Sequence, residues 1–517
     1  MRIGILDLLS AGATRRWDHK AYNYLVTKQY ASIMPQAISV WCRNLGHEVF
    51  YATYFGNKDP KHLLPNDLDI VFISTYTQAS ALAYALAKLY RKEKTFTVIG
   101  GPHAKQFPED CLRFFDIVVG DCDRTLITEI LSDTPRGEII TSGRTLNNIP
   151  GVEERMPEIR ASTFLRGKPF PFTSIPLLTS IGCPNPCDFC IDWNNPYVLL
   201  PLGQLEADMR FIFQHFSRVM IGLHDPNFAV KFEQVFNLLE KIPNRRRISY
   251  TMETSLSILR GSRLERLKNM GNFHIVPGIE SWTAYSNKVG AGSTTDPREK
   301  LEKVIEHLNI IRPYVSGIQA NFLFGLDVDT GDEPIELTKE FVSRAPFVMP
   351  NLNIPVPFGN TPLYEKYLSE GRLLTSMPFT FYYTPYLVYT LKNYSPVTFY
   401  EKLIDIFSYI SSGSMLVKRL KNSPAPLPAG YNLVKTLGNR QMIGRFRNIL
   451  NLLNTNKQFR AFHEHETDVL PEFYHYQYER LLGPYASLMS HGERKPIIHS
   501  HGVKVCVTNR KRAVTPP

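Results

Sequence analysis

Ile181-Gly-Cys183-Pro-Asn-Pro-Cys187-Asp-Phe-Cys190 places three thiols within eight residues, directly after the apolar run Pro176-Leu-Leu-Thr-Ser. Two Pro and one Gly make the segment a tight loop at the end of a strand, not a helix. Three thiolates on one loop can hold one metal centre. They cannot close a structural tetrahedral zinc site, which takes four Cys or His ligands, and His224, the nearest candidate for a fourth, falls on another strand. On a four-iron cluster the same three thiolates leave one iron open to a substrate group. An iron–sulfur site is therefore expected, with zinc as the alternative. Cys42, Cys111, Cys122 and Cys506 are scattered and read as ordinary buried or incidental thiols.

Outward from the loop, strand-like runs alternate with helix-length segments: Val219-Met-Ile-Gly-Leu, Ile248-Ser-Tyr-Thr-Met, Phe273-His-Ile-Val-Pro-Gly, Ile318-Gln-Ala-Asn-Phe-Leu-Phe and Asn351-Leu-Asn-Ile-Pro-Val. With the run at Pro176, six strands so spaced predict a partial parallel barrel over 176–375. Residues 1–145 show a second alternation. Its strands are Arg2 to Leu8, His47 to Tyr54, Asp69 to Thr75, Phe96 to Gly101 and Asp116 to Gly120, a doubly wound parallel sheet whose ligands belong at the carboxyl ends. That points to the loops at Leu9–Ala13, Ser74–Gln78, Gly100–Ala104 and Gly120–Arg124. Residues 146–175, rich in Pro, Arg and Glu, read as a linker, and 376–517 as a mostly helical domain.

The 517 residues carry a formal charge of +11 with 43% hydrophobic residues, which excludes a disordered chain. No run of 18 apolar residues occurs, so no transmembrane helix is expected. The amino terminus puts its apolar run before its basic residues, the reverse of a secretion signal, and a cytoplasmic, reducing location is expected. From Ser376 onward 18 Lys and Arg face 8 Asp and Glu, so the charge belongs almost wholly to the last quarter. It is consistent with a solvated helical surface, an anionic substrate or peripheral contact with a membrane. Nucleic acid is disfavoured, because the basic residues are dispersed and no RNA-binding module is recognisable. His463, His465, His475, His491, His499 and His501 suggest a second metal site, but His463 and His465 point to different faces of a helix, and a polar surface is the expected role.

The C-x3-C-x2-C spacing after the first barrel strand resembles the radical S-adenosylmethionine (radical SAM) enzymes. Phe189 matches the aromatic that precedes their last cysteine. Ile221-Gly-Leu-His-Asp225-Pro-Asn227-Phe resembles a D-D-N-F segment near the SAM amino group, with Pro226 in place of the second acid. Val276-Pro-Gly-Ile-Glu280-Ser281 resembles the G-[IVL]-E-S strand end. Gln319, Asn321 and Phe324-Gly-Leu-Asp-Val-Asp-Thr330 resemble the fifth-strand segment, and Pro355 to Tyr364 with Glu370-Gly-Arg-Leu373 the barrel-closing signature. The resemblance implies a [4Fe-4S] cluster on Cys183, Cys187 and Cys190, with SAM contacts from Phe189, Asp225, Asn227, Glu280, Ser281, Gln319 and Asn321. It implies reductive cleavage of SAM to a 5′-deoxyadenosyl radical, with the electron from an external donor such as flavodoxin or ferredoxin.

Members with that closing signature commonly carry a cobalamin-binding domain in front. Val98-Ile-Gly-Gly-Pro-His-Ala, Asp116-Ile-Val-Val-Gly and Asn44-Leu-Gly-His-Glu-Val resemble its later segments, which implies cobalamin contacts at Ser74, Thr75, Tyr76, Gly100, Gly101, His103 and Gly120. The D-x-H-x-x-G loop that supplies a lower cobalt ligand is absent, and Asp121-Cys-Asp123 stands where Gly-Glu-Gly-Glu is usual. The expected architecture is α/β: a Rossmann-like parallel sheet, a partial (β/α)6 TIM-type barrel and a helical carboxyl-terminal domain. The expected activity is methylation of an unactivated carbon on a small-molecule or lipid-like biosynthetic intermediate through methylcobalamin. The alternatives are a radical cyclase, coupling or rearrangement enzyme, and an RNA-modifying protein on the same barrel.

Overall fold

The computed structural model describes residues 1–14, 17–132, 136–242, 248–283, 296–423, 426–498 and 506–508. The chain forms two compact units. One is Met1–Pro176 with Met377–Thr380 and Tyr474–Pro517; the other is Leu177–Ser376 with Phe381–Phe473.

The first unit is built on strands β1 (Arg2–Leu8), β2 (Glu48–Tyr54), β3 (Ile70–Thr75), β4 (Phe96–Gly100), β5 (Ile117–Val119) and β6 (Glu138–Ser142). Its sheet is parallel throughout and includes a segment from the far end of the chain, Cys506–Thr508, in the order Cys506–Thr508, β6, β5, β4, β3, β1, β2. Helices on both faces explain why β3, Ile-Val-Phe-Ile-Ser-Thr, is apolar without alternation. The chain reverses its direction of progress across the sheet between β1 and β3, which makes the carboxyl ends of those strands the natural ligand edge.

Two expectations change here. The sheet has seven strands, not five: β6 and Cys506–Thr508, the latter remote in sequence, add to the five expected. The stretch 146–175 is not an open linker, since it contains the helix Met156–Thr163 with buried Glu158. Glu158 accepts a hydrogen bond from Ser39 Oγ at 2.7 Å and pairs with Arg43. Arg155, 2% exposed, donates to the carbonyls of Pro150 and Pro176 and to Gln36 Oε1. A Pro-, Arg- and Glu-rich composition reads as solvated when the partners of its charges lie far away in sequence. Here those partners are on the helix Ile33–Asn44.

The second unit continues the strand count with β7 (Ser174–Leu177), at whose last residue it begins, and β8 (Ser180–Ile181), β9 (Val198–Leu199), β10 (Met220–Leu223), β11 (Ser249–Glu253), β12 (Asn272–Val276), β13 (Gly278–Glu280), β14 (Gly317–Leu323) and β15 (Val348–Asn353). The main sheet runs β7, β10, β11, β12, β14, β15, with parallel pairing in every register resolved, and β13 beside β14. β12 and β13 are one strand interrupted at Pro277, which has no N–H to give to the ladder. On β14 the alternation is clear. Ile318, Ala320 and Phe322 are buried, and Phe322 packs against Trp282 and Phe341, while Gln319, Asn321 and Leu323 occupy the opposite, half-buried face. The concave face of this half-barrel is therefore polar.

The stretch expected as one helical domain is divided between the units. Helices Pro396–Ile410, Gly413–Asn422, Pro426–Thr455 and Lys457–His463 belong with the barrel. Ser395 and Ser412 cap the first two by accepting from Thr398 N and Met415 N, and Phe446 packs against Tyr400 and Phe407. The helix Glu472–Leu482 belongs with the first unit from Tyr474 onward.

Candidate functional site

The three cysteines lie on a loop closed at its base by the antiparallel pair β8 and β9, in which Ser180 faces Leu199 and Ile181 faces Val198. Gly182 turns the chain into the loop with φ +66°, and a Cβ there would lie 2.3 Å from Pro196 O and 2.4 Å from Asn195 O. Only glycine fits that turn. Cys183 N donates to Asn195 O at 3.0 Å, Cys190 N to Cys187 O at 3.1 Å and Trp193 N to Cys190 O at 3.1 Å. Asn185 Nδ2 approaches Cys183 Sγ at 3.4 Å, and none of the three thiols is in a disulfide. Phe189 is half-buried between the second and third cysteines.

Asp225, expected from the sequence to contact SAM, also anchors the cysteine loop. It is 1% exposed, and its carboxylate accepts from Thr179 N at 3.1 and 3.2 Å, from Thr179 Oγ1 at 2.5 Å and from Ser180 Oγ at 2.6 Å. Burial raises its pKa against the opposing pull of those donors. With its lone pairs engaged, Asp225 anchors the strand that launches the cysteine loop. Asn227 is similarly buried, and its Oδ1 accepts from Ser255 N at 2.9 Å and Ser255 Oγ at 3.2 Å, fixing the end of β11. His224 gives its backbone N–H to Leu177 O at 2.8 Å.

The barrel-closing signature also serves the loop. Thr361 caps the helix Pro362–Ser369 by accepting from Tyr364 N, with Pro362 at the first helical position. Leu363 N donates to Asp188 O at 3.0 Å and Trp193 Nε1 to Asn360 O at 2.8 Å, so two bonds tie the cysteine loop to this segment. Arg372 of the Glu-Gly-Arg-Leu stretch makes a fork onto Asp327, at 2.8 and 3.0 Å, and pairs with Glu370 at 2.8 Å. Burial would raise Asp327, but Arg372 and Lys366 bring it down to about 2. Two sequence motifs thus meet in one ion-pair cluster.

At the end of β13, Glu280 holds φ +64°, uncommon outside glycine, and its Oε1 lies 2.2 Å from where a Cβ on Gly278 would stand. Ser281 is buried, and its hydroxyl donates to Asp329 Oδ1 at 2.6 Å. Asp329 Oδ2 accepts from Gly325 N and Leu326 N at 2.9 and 3.0 Å, which shapes the fifth-strand loop. Lys300, not singled out by the sequence, is buried here and donates to the carbonyls of Ile279 and Ser281. Burial pushes its ammonium down to about 8 against the attraction of Glu280 and Asp329. Gln319 Nε2 donates to Asn321 Oδ1 at 3.0 Å, on the polar concave face.

In the first unit, Ser74 and Gly100 are register partners at the carboxyl ends of β3 and β4. Gly101 follows with φ +90°, and a Cβ on it would crowd Ser74 Oγ and Thr75 N at 3.0 Å, whereas one on Gly100 would meet nothing nearer than 4.0 Å. Ser74, Tyr76, Gly100, Gly101 and Gly120 are at least partly exposed along this edge. Thr75 and His103 are turned inward. Thr75 is 1% exposed and donates to Tyr76 O, and His103 is fully buried beside Tyr84 Oη, 2.6 Å from its Nε2. Burial lowers the His103 pKa to about 3, keeping the ring neutral. Gly12, in the loop after β1, packs against the carbonyl of Leu481, so the helix Glu472–Leu482 occupies one side of that loop. Asp121 pairs with Lys105 and Asp123 with Arg144.

Among the described residues, no three His, Cys, Asp or Glu side chains converge on a single-ion site. An iron–sulfur cluster asks for something different, since each thiolate binds its own iron and the sulfurs need not meet at one point. The loop fits that demand, with three thiols, a glycine turn that admits no side chain, and anchors at both ends. Of the carboxyl-terminal histidines, His463 is buried against Phe459 and Phe462, and His475 stacks edge-on with His491. His499 and His501 lie outside the described residues.

The profile of the radical SAM superfamily matches residues 177–341. The bacteriochlorophyllide d C-8(2)-methyltransferase of Chlorobaculum tepidum is 26% identical over 388 residues, 72% of this chain and 83% of that protein. The hopanoid C-2 methylase of Rhodopseudomonas palustris is 23% identical over 53% of each chain. In fold, the chain is similar to the cobalamin-dependent S-adenosylmethionine radical enzyme OxsB, solved with aqua-cobalamin and S-adenosylmethionine bound. The TM-score is 0.55 at 12% identity, over 94% of this chain and 79% of that one. The cysteine loop stands at the head of the parallel half-barrel, inside the span that matches the radical SAM superfamily.

Proposed function

We propose that the protein is a cobalamin-dependent radical SAM C-methyltransferase acting on a large, mostly apolar biosynthetic intermediate of the chlorophyllide kind. The observation that carries this reading is the likeness to a bacteriochlorophyllide methyltransferase over 83% of that protein's length. When bound, the cluster would supply the electron that cleaves SAM, and cobalamin the methyl group. The electron would come from an external flavodoxin or ferredoxin.

The chain's own residues would position these groups. Cys183, Cys187 and Cys190 would hold three irons, while Asp225, Trp193 and Leu363 N keep the loop from shifting. Glu280 would accept from the SAM amino group or ribose, a charge-assisted contact held in place by its left-handed backbone and by Lys300 beneath it. Phe189 would cover the adenine or the cluster. Ser74, Tyr76, Gly100, Gly101 and Gly120 would line the corrin or its nucleotide tail, where the absent side chains of the glycines permit close backbone approach. No D-x-H-x-x-G loop adds a histidine to this edge.

Peripheral contact with an anionic membrane fits the same substrate class. Between Asp405 and Glu464 the chain has nine Lys and Arg and no Asp or Glu. The adjoining helices Gly413–Asn422 and Pro426–Thr455 expose Val417, Leu420, Leu433, Val434 and Leu437. No helix among the described residues is long and apolar enough to cross a membrane.

The test is anaerobic incubation with hydroxocobalamin, desalting, and a visible spectrum, followed by turnover with SAM labelled in its methyl group and a bacteriochlorophyllide acceptor. A retained corrin band and label in the acceptor are expected. Loss of all corrin on desalting, or deoxyadenosine release with no labelled product from any chlorophyllide, contradicts the proposal.

A further inference from the structure

Among the described residues, the concave face of the half-barrel carries a cation, Lys435, with no carboxylate partner. The helix Pro426–Thr455 crosses this face and presents Tyr431 and Lys435, one turn apart, toward the strands. Tyr431 Oη donates to Gln319 Oε1 at 2.9 Å, and its ring meets His274 edge-on at 5.9 Å. Lys435 Nζ reaches Asn351 Oδ1 at 3.3 Å, and Asn351 Nδ2 donates in turn to Asn321 Oδ1 at 3.1 Å.

An ammonium group has three protons to donate. Among the described residues, Lys435 makes one long hydrogen bond to a neutral amide, lies 5.9 Å from the Tyr431 ring, and has no carboxylate partner. Its helix offers none, because no Asp or Glu occurs between Asp405 and Glu464. The ring of His274 is kept neutral by burial, which holds it down to about 4, so it neither competes for an anion nor supplies one. Lys300 is the instructive contrast. It is buried where Lys435 is half-buried, and two backbone carbonyls accept its protons with Glu280 and Asp329 nearby. Desolvating a charge is costly unless an opposite charge answers it. Lys435 is half-buried, and among the described residues no carboxylate answers it, which leaves its remaining protons to water or an incoming anion.

We propose that Lys435 anchors a carboxylate of the substrate within the half-barrel, so that the enzyme selects a carboxylic acid over its ester. A single ammonium framed by the neutral amides of Asn351, Asn321 and Gln319 suits a monoanion better than a phosphate dianion. The inference rests on the chlorophyllide reading above, since a chlorophyllide carries a free propionic acid, and it names the residue that would hold that acid. The other carboxylate that could reach this face is that of the SAM methionine, and the experiment separates the two.

The test uses the full reconstituted chain under anaerobic conditions and a pair of probes that differ only in charge, pheophorbide a and its methyl ester. Binding is followed by probe fluorescence. Wild type should bind the acid at least about tenfold more tightly than the ester, a difference of about 1.4 kcal/mol. Lys435→Met should bring the acid to the affinity of the ester and leave the ester unchanged. Lys435→Arg should retain the preference, and Lys435→Met should keep the wild-type KM for SAM in substrate-free deoxyadenosine release. Equal binding of acid and ester by wild type overturns the role of Lys435 alone. A preference that survives in Lys435→Met does the same, as does a SAM KM raised in that variant with the preference intact. If wild type binds neither probe, the chlorophyllide reading itself falls, and this inference with it.

Discussion

Asp225 accepts the backbone N–H and the hydroxyl of Thr179, four residues before Cys183, so the end of β10 holds the start of the cysteine loop. A buried carboxylate used in this way is a positioning group. Hydrogen bonds to a charged partner contribute about 1.5–3 kcal/mol each. Asp225→Ala should therefore lower bound iron and deoxyadenosine release together, each by at least about tenfold. The KM for SAM in the remaining loaded enzyme should stay near the wild-type value. Full iron content with a sharply raised KM would instead place Asp225 on SAM.

Gly182 leaves no room for a side chain at the turn into the loop, where a Cβ would press on the carbonyls of Asn195 and Pro196. Gly182→Ala should keep the far-ultraviolet circular dichroism of wild type yet bind well under half of the about four irons expected for one cluster. A fully loaded Gly182→Ala protein would show that the loop can form by another path.

Deoxyadenosine release should be sensitive to alkali through Lys300. Burial holds its ammonium near 8, so the proton is lost as pH rises through that value, and with it the cation beneath Glu280. The rate should fall above pH 8 with an apparent pKa of about 8, and Lys300→Arg should move that limb beyond the accessible range. The stability effect has the opposite sign. Below pH 8 the folded protein carries a desolvated charge, and the cost fades as pH rises from 8 toward the ordinary lysine value of 10.5. An alkaline limb unchanged in Lys300→Arg would assign it to another group.

Asp327 and Arg372 join the fifth-strand loop to the Glu-Gly-Arg-Leu turn. Because the carboxyl is held at about 2, below its usual 3.8, the pair stabilises the fold above about pH 4, and the contribution disappears as pH falls through 2. The Asp327 and Arg372 side chains are 13% and 12% exposed, so Asp327→Asn should cost about 1.5–3 kcal/mol at neutral pH. Urea midpoints of the apo-protein at pH 7 and pH 3 measure this, with the gap between wild type and variant narrowing at the lower pH. An equal gap at both values would remove the ion pair from the account.

Much of this was legible in the sequence because it is local. The strands of both sheets announce themselves as apolar runs bounded by turns, and three cysteines in eight residues need no partner elsewhere to be noticed. What stayed hidden depends on contacts between remote segments. Cys506–Thr508 joins the first sheet beside β6, and Glu158 and Arg155 are charges made inward-facing by partners on the helix Ile33–Asn44. Asp225 and Asn227 illustrate the same limit at the site. A motif shows that a carboxylate and an amide are present at a strand end, but only the fold shows that they turn toward Thr179 and Ser255. Lys300 and Lys435 belong to no short motif, and they emerge only from what burial leaves around them.

The most direct test of the central claim is deoxyadenosine formation from SAM by the anaerobically reconstituted, dithionite-reduced chain, compared with a variant in which Cys183, Cys187 and Cys190 are all alanine. Wild type should release 5′-deoxyadenosine and methionine in equal amounts even without substrate, and the triple variant none above the reagent blank. Release by the triple variant at the wild-type rate would contradict the assignment of the radical chemistry to this loop.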